Sequence, residues 1–434
     1  MSPQGENGAR AIAASVLLRV WEDGAFAAAA LSAQLNDVAL DSRDKGLATE
    51  LVYGVLRTQP YLTRRIQAFG TAKEGDEFVL AHLLIATYQI DFLDRVPARA
   101  AVHEAVSAIQ RERGQRLGGF ANAVLRRVSE AKVTKAISLQ EAIYESTPSW
   151  LRKRLERSIG AEGTRVLLTD VKQAMPTLRL AQGHEAPAWF ATETEALEGG
   201  PSAYRYTGGG DPRQRAEFTD GAFVVQELGA QLIARVPGLQ VGQRVLDVCA
   251  GRGQKTAVLA ERTGPHGQVF ATDIHAHKLA ALQAELKLDG SRLQTQLCDW
   301  TEPPPERYHA AFDFVLVDAP CTGVGTLRRR PEILRRLTPE DPERLRDLQV
   351  KILSQAAVAL APGGTLVYAT CSVLGAEAED VLDGVADVLE PRPFGQNELA
   401  TIFPPDSTST RLLPHVHGTD GYFVARLARR ARGH

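Results

Sequence analysis

Two cysteines stand where apolar runs end. FDFVLV (residues 312–317) leads through Asp318, Ala319 and Pro320 to Cys321, and TLVYAT (residues 365–370) leads straight to Cys371. A thiol attacks as thiolate, and a free cysteine with a pKa of about 8.5 ionises well at neutral pH only beside electropositive groups. Lys255 and the arginines that follow Cys321 are the candidates to supply them. Methyl transfer to carbon 5 of a pyrimidine is one reaction that calls for a thiol and an acid at the same pocket rim. That carbon is not nucleophilic until a thiolate adds to carbon 6, which turns one hard step into easier ones through a covalent adduct. Asp318 is the acid that would stabilise the developing charge near ring nitrogen 3, and a second thiol could assist. Which sulfur attacks stays open, because a Pro-Cys pair is the nucleophile in enzymes that methylate cytosine in DNA. Pro320 sets the turn before Cys321, and Gly323 and Gly325 would let a base approach closely. Cys249 and Cys298 read as small buried apolar groups.

A second constellation surrounds a glycine turn. RVLDVC runs into AGRGQKT, where Gly251 and Gly253 allow a tight turn and expose amide groups at a helix start, suited to an anionic or strongly polar ligand. Asp273, 20 residues after Gly253, ends the next strand, where a carboxylate can accept from both ribose hydroxyls. Asp299 in LCDW ends the third, placed to accept from the exocyclic amine of an adenine. Such aspartates also cap helices, but three in succession suit an adenosine cofactor. Asp247, just before the glycines, would orient the turn near the cofactor's amino acid end. With thiols in play, S-adenosylmethionine fits better than a dinucleotide, since hydride transfer has no use for them.

The elements that must hold these residues are legible in the periodicity. ARAIAASVLLRVWEDG, RDKGLATELVYGVLR and RAAVHEAVSAIQRERG repeat apolar residues at three- and four-residue intervals, which predicts an all-helical domain over residues 1–140. Residues 141–215 predict a connecting region, helical and then small α/β or irregular, with the Gly- and Pro-rich 195–215 reading as a linker or loose edge. From 216 to 434, RVLDVC, QVFATD, LQTQLC, FDFVLV, TLVYAT and a final YFVARL alternate with helical stretches. That alternation predicts an α/β fold: a mostly parallel sheet with helices on both faces and ligands outside the carboxyl ends of the strands.

With 44% hydrophobic and 24% charged residues the composition is that of a soluble globular chain, and no apolar run is long enough to span a membrane. Four cysteines without a C-x-x-C pair predict free thiols in a reducing cytoplasm and no metal cluster. A net charge of −2 gives no global sign of a polyanion partner. Its placement says more, for residues 321–336 carry five arginines against one acid, and basic pairs recur at Arg64 and Arg65, at Arg126 and Arg127, and in the closing RLARRARGH.

LDVCAGRGQKT, DIHAHKLAAL, LCDW, FVLVDAPCTGVGTLRRRPEI and YATCSVLGAEAEDV, in this order, resemble the RNA cytosine-5 methyltransferases of the NOL/NOP/Sun family. ARAIAASVLLRVWEDG and TELVYGVLRTQPYL resemble the NusB-like helical domain that precedes the methyltransferase in the bacterial RsmB type, which acts on 16S rRNA. The resemblance implies a Rossmann-like S-adenosyl-L-methionine-dependent enzyme in which Cys371 attacks carbon 6 and Cys321 assists release. It implies cofactor contacts along Cys249, Ala250, Gly251, Arg252, Gly253, Gln254 and Lys255 and at Asp273, Asp299 and Asp318, and RNA binding by the helical domain. The chain departs from the family's Ala-Pro-Gly-Gly at Gly251–Gln254 and retains Lys255 and Thr256. The expected partner is RNA, with no membrane and no metal, met by a monomer. A DNA cytosine methyltransferase using Cys321, a tRNA enzyme, and a noncatalytic RNA-binding adaptor with a degenerate cofactor fold are the alternatives.

Overall fold

The computed structural model describes residues 8–70, 76–131, 137–170, 175–197, 200, 202–286 and 288–430. Within them the chain divides into two compact units. One comprises Met1–Arg152, Leu168–Val171 and Leu327–Arg336, the other Lys153–Leu167, Lys172–Thr326 and Leu337–His434.

The first unit is helical: α1 (Ala9–Glu22), α2 (Ala27–Asp37), α3 (Ser42–Gln67), α4 (Glu77–Phe92), α5 (Ala98–Arg113), α6 (Gln115–Glu130) and α7 (Leu139–Ser146). Local chemistry sets the boundaries. Asp41, Asp76 and Ser138 each accept from the backbone N–H three residues on, capping α3, α4 and α7. Gly114, at φ 86°, turns α5 into α6. α4 is largely apolar and buried without a break from Ala81 to Gln89, so it forms the centre. Gly54 of α3 lets that helix approach Tyr88 of α4, whose ring would meet a Cβ there at 2.1 Å.

The arginine-rich stretch after Cys321 belongs to this unit. Arg330 and Arg336 lie over the ring of Phe26 at 5.7 and 5.8 Å, and Arg335 lies over Trp21 at 5.3 Å. Arg336 also donates to the Gly24 carbonyl, and buried Glu332 accepts from Ala27 N–H. These cations therefore bind aromatic faces and carbonyls of the helical unit rather than standing as a free basic run. The last residues of the basic C-terminal stretch, 431–434, lie outside the described residues.

A further helix, α8 (Ser149–Thr169), breaks at Gly160, where φ is 75°. In the second unit, β1 (Thr177–Leu180), β2 (Thr194–Ala196), β3 (Ala203–Tyr206) and β4 (Phe223–Val225) form an antiparallel sheet in the order β2-β3-β1-β4. The stretch 195–215, which reads as a linker, thus supplies β3 and part of β2. Leu178, Phe190, Tyr206 and Phe223 make a small core, with Trp189 edge-on to Tyr206 and Phe223. Most of these rings lie outside the Gly- and Pro-rich stretch, so its own composition conceals the packing.

The large sheet contains β5 (Arg244–Asp247), β6 (Gln268–Asp273), β7 (Leu293–Leu297), β8 (Phe312–Asp318), β9 (Leu360–Thr370), β10 (Leu389–Pro391), β11 (Ser409–Leu412) and β12 (Tyr422–Arg429). Their order is β10-β12-β9-β8-β5-β6-β7, with β11 on β12; β5 to β9 pair in parallel and β12 runs antiparallel to β9. Alternate residues of β8 divide between two cores. Val315 and Val317 join Ile352, Leu353 and Ala356 of α9 (Asp341–Ala359), while Phe314 and Leu316 join Leu259 and Leu282 on the other face. Both faces are covered, which is why these strands read as continuous apolar runs. The order reverses between β5 and β8, so their carboxyl ends open a crevice at the switch point.

Candidate active site

The glycine turn follows β5 and begins the helix Gln254–Thr263. Gly251 and Gly253 have φ of 56° and 86°, a region that L side chains avoid. A Cβ at Gly253 would stand 2.5 Å from Leu282 Cγ, whereas Gly251 faces open space. Asp273 braces the turn: its Oδ2 accepts from Gly251 N–H at 3.0 Å and its Oδ1 from His275 N–H at 2.8 Å, with Lys278 Nζ at 4.0 Å. The small sheet braces the helix start, where Gln226, held by buried Arg179, donates to the Gln254 carbonyl at 3.2 Å.

Asp247 is fully buried, and its Oδ2 accepts from Thr256 Oγ1 at 2.7 Å. Its Oδ1 is buried with no partner among the described residues. Burial pushes its carboxyl up to about 7 against the lowering effect of the Thr256 hydroxyl. An orphaned carboxylate oxygen under a glycine turn is a fit for a ligand that brings its own donor, such as a cofactor's ammonium group.

The other residues expected at the cofactor separate. Lys255 faces inward, whereas Arg252 and Gln254 are exposed and Arg252 pairs with Glu285. Asp299 is exposed and its Oδ1 accepts from both the N–H and the hydroxyl of Thr301, which hold its carboxyl below its usual value. It caps its own turn. Cys249 and Cys298 pack at the edge of the α9-side core, and burial pushes both thiols up.

At the ends of β8 and β9 the structure brings the two thiols together, with Cys321 Sγ 3.2 Å from Cys371 Sγ. Beside them Lys255 Nζ stands 2.5 Å from Asp318 Oδ2, a half-buried ion pair. Burial works against the lysine's charge, but Asp318 outweighs it and the lysine ends above its ordinary value, with a smaller contribution from Cys371. The Cys321 thiol is driven well up by its hydrogen bond with Cys371, then by burial and by the charges of Cys371, Glu377 and Asp318. Cys321 is therefore held protonated, the opposite of what adjacent arginines would do. Gly325 serves the chain itself, since its N–H donates to the Cys371 carbonyl at 3.0 Å and a Cβ there would meet the Gly421 carbonyl oxygen at 1.9 Å.

Motif reading passes over one residue here. Glu377, in GAEAED, looks like a surface acid but is wholly buried beneath both cysteine loops.

The description 16S rRNA methyltransferase RsmB/F matches residues 236–428, and that of the NusB family matches residues 7–130. Ribosomal RNA small subunit methyltransferase B of Vibrio cholerae is 33% identical over 436 residues, 97% of each chain. The chain belongs to the RsmB/F family. The probable ribosomal RNA small subunit methyltransferase B of Synechocystis is 32% identical over 448 residues, 96% of this chain and 99% of the relative. Among solved structures the crystal structure of PH0851 is similar in fold, with a TM-score of 0.82, 22% identity and 99% of both chains covered. The glycine turn, Lys255, the aspartates and both thiols all fall inside the span matched to RsmB/F.

Proposed function

We propose that this RsmB/F chain transfers a methyl group from S-adenosyl-L-methionine to carbon 5 of a cytosine in 16S rRNA, with Cys371 as nucleophile. The 3.2 Å approach of the two sulfurs beside the Lys255–Asp318 pair carries this reading. When bound, S-adenosyl-L-methionine supplies an electrophilic methyl group. The turn from Asp247 to Lys255 would hold it, with the free Asp247 oxygen and Asp273 as acceptors, and Asp299 accepting only through what its Thr301 cap leaves.

Cys371 as thiolate forms a bond to carbon 6, which makes carbon 5 nucleophilic and pushes negative charge onto the ring. The charge develops at ring nitrogen 3, where Asp318 is the acid: as a carboxylate it can only accept, so it donates there once the Lys255 ammonium, 2.5 Å from its Oδ2, has passed it a proton. Once carbon 5 is methylated its proton leaves to a base, the carbon 6 to sulfur bond breaks, and Cys371 regains its electron pair. Cys321, at hydrogen-bond distance from Cys371, is placed to assist that release. Because a stacked base cannot meet a thiol, the target cytosine lies in a loop or opened site. Residues 1–140 serve as the RNA-binding part, and one chain supplies the turn, the acid and both thiols, which suits a monomer. No helix among the described residues is long and apolar enough to cross a membrane, and four free thiols suit the cytoplasm.

Methyl-labelled cofactor offered with 16S rRNA, tRNA and DNA tests the reading. Label in 16S rRNA alone, mapped to a 5-methylcytosine, supports it; label only in tRNA or DNA, or in nothing, overturns it.

A further inference from the structure

The two cysteine loops leave the sheet separately, and something must hold them against each other. Glu377 bonds to the residue that follows each thiol. Its Oε1 accepts from Thr322 N–H at 2.8 Å and its Oε2 from the Thr322 hydroxyl at 2.5 Å, on the Cys321 side. On the Cys371 side the Ser372 hydroxyl bonds to the same carboxylate, and it lies 3.3 Å from the Thr322 hydroxyl. Gln349 of α9 closes the ring, donating to Glu377 Oε1 at 3.2 Å and to the Pro320 carbonyl at 2.9 Å. The hydroxyl of Tyr368, on β9, lies 2.8 Å from the Glu377 carbonyl and 3.0 Å from Gln349 Oε1. Glu377, Gln349, Ser372 and Tyr368 are fully buried and Thr322 nearly so. Such a network in a low-dielectric interior is rigid when every member is satisfied.

We propose that Glu377 is the positioning residue of the site, holding the two thiols at working distance by clamping Thr322 and Ser372 together. The inference rests on the assignment of Cys371 and Cys321 to the reaction. Glu377 bonds to neither sulfur, so beyond the lesser rise its charge gives the Cys321 thiol, its effect reaches the chemistry through the spacing of the pair. A carboxylate suits this place because it accepts several hydrogen bonds at once, one set from each loop. Burial pushes its own pKa up against those donors. A glutamine can keep the acceptor facing Thr322 N–H, while an alanine leaves buried donors on both loops without a partner.

The test reads the sulfur spacing without calling on methylation. Diamide joins Cys321 to Cys371, each sulfur giving up one hydrogen and the diamide taking both to become a hydrazine, and intact mass follows the loss of two hydrogens. Full-length wild type closes fast, and Glu377→Gln stays within about threefold. Glu377→Ala slows closure by about tenfold or more, the factor matching one lost hydrogen bond to a charged group. With 16S rRNA, Glu377→Ala lowers kcat by a similar factor at unchanged KM. Thermal unfolding accompanies each variant. If Glu377→Ala fails to fold, the pair Thr322→Val and Ser372→Ala severs the hydroxyl links and serves in its place. Wild-type closure and kcat in Glu377→Ala or in that double variant overturn the proposal. A wild-type chain that closes fast but methylates no RNA leaves the clamp standing and removes the reading of function.

Discussion

The sulfur atoms of Cys321 and Cys371 lie 3.2 Å apart although 50 positions separate them in the chain. The sheet makes this meeting unavoidable. β8 and β9 are parallel neighbours in a register that sets Asp318 opposite Ala369, so the residues leaving both strands emerge at one edge of the crevice. The Gly325 N–H bond to the Cys371 carbonyl and the Glu377 network then fix the separation. Two thiols so close cannot readily both ionise, and the hydrogen bond with Cys371, then burial, drives the Cys321 thiol well up.

Cys371→Ser therefore removes turnover, by about four orders of magnitude as for loss of an attacking group. Single-turnover transfer to 16S rRNA measures it, and a variant within tenfold of wild type would refute the role of Cys371.

Lys255→Met leaves the half-buried Asp318 without its cation. Stability falls by about 2 kcal/mol, less than for a fully buried pair because both groups touch solvent. The lysine's folded value is raised, so wild type's advantage is complete below the ordinary lysine value of 10.5 and fades as pH climbs through the higher folded one. Denaturant midpoints of both proteins from pH 7 to 11 check the sign.

Asp247→Asn keeps the acceptor for Thr256 and removes a carboxyl that burial makes reluctant to ionise. The wild-type group titrates at 3.8 unfolded and at about 7 folded, so the folded state binds the extra proton between them and loses relative stability as pH rises across that window. The variant is accordingly more stable at pH 8, by at most about 4 kcal/mol, with the gap closing toward pH 4. Its affinity for S-adenosyl-L-methionine falls at the same time. A variant melting below wild type at pH 8 would show that the carboxylate is satisfied.

Gly325→Ala places a Cβ 1.9 Å from a backbone oxygen and costs about 3 kcal/mol, because the 421 loop must move. Gly251→Ala meets open space and costs only about 1 kcal/mol for its positive φ. Equal losses in melting temperature would count against this account of the two turns.

Strand ends and their chemistry were legible because apolar runs, an acid and a thiol occur in unbroken sequence at β8, and alternation gives a mostly parallel sheet though not the order that sets β8 beside β5. What burial alone decides was not. Glu377 sits in GAEAED beside Glu379 and Asp380, and nothing in that string distinguishes the acid that is buried from the two that are exposed. The arginines after Cys321 read as a free basic run because their partners, Trp21 and Phe26, lie some 300 residues earlier. Asp299 shows the reverse, for Thr301 two residues on is visible in the sequence as its capping partner. The sequence suggests room for a base at Gly325, and that room is taken by Gly421.

The central claim is a transient bond between Cys371 and a cytosine ring. Incubating the Cys321→Ala variant with 16S rRNA and cofactor, digesting the product and mapping the adduct by mass spectrometry tests it most directly. The account predicts a nucleotide mass on the peptide that carries Cys371, absent from wild type after turnover; free turnover by Cys321→Ala with no trapped RNA, or an adduct trapped instead on Cys321 in a Cys371→Ala variant, would contradict it.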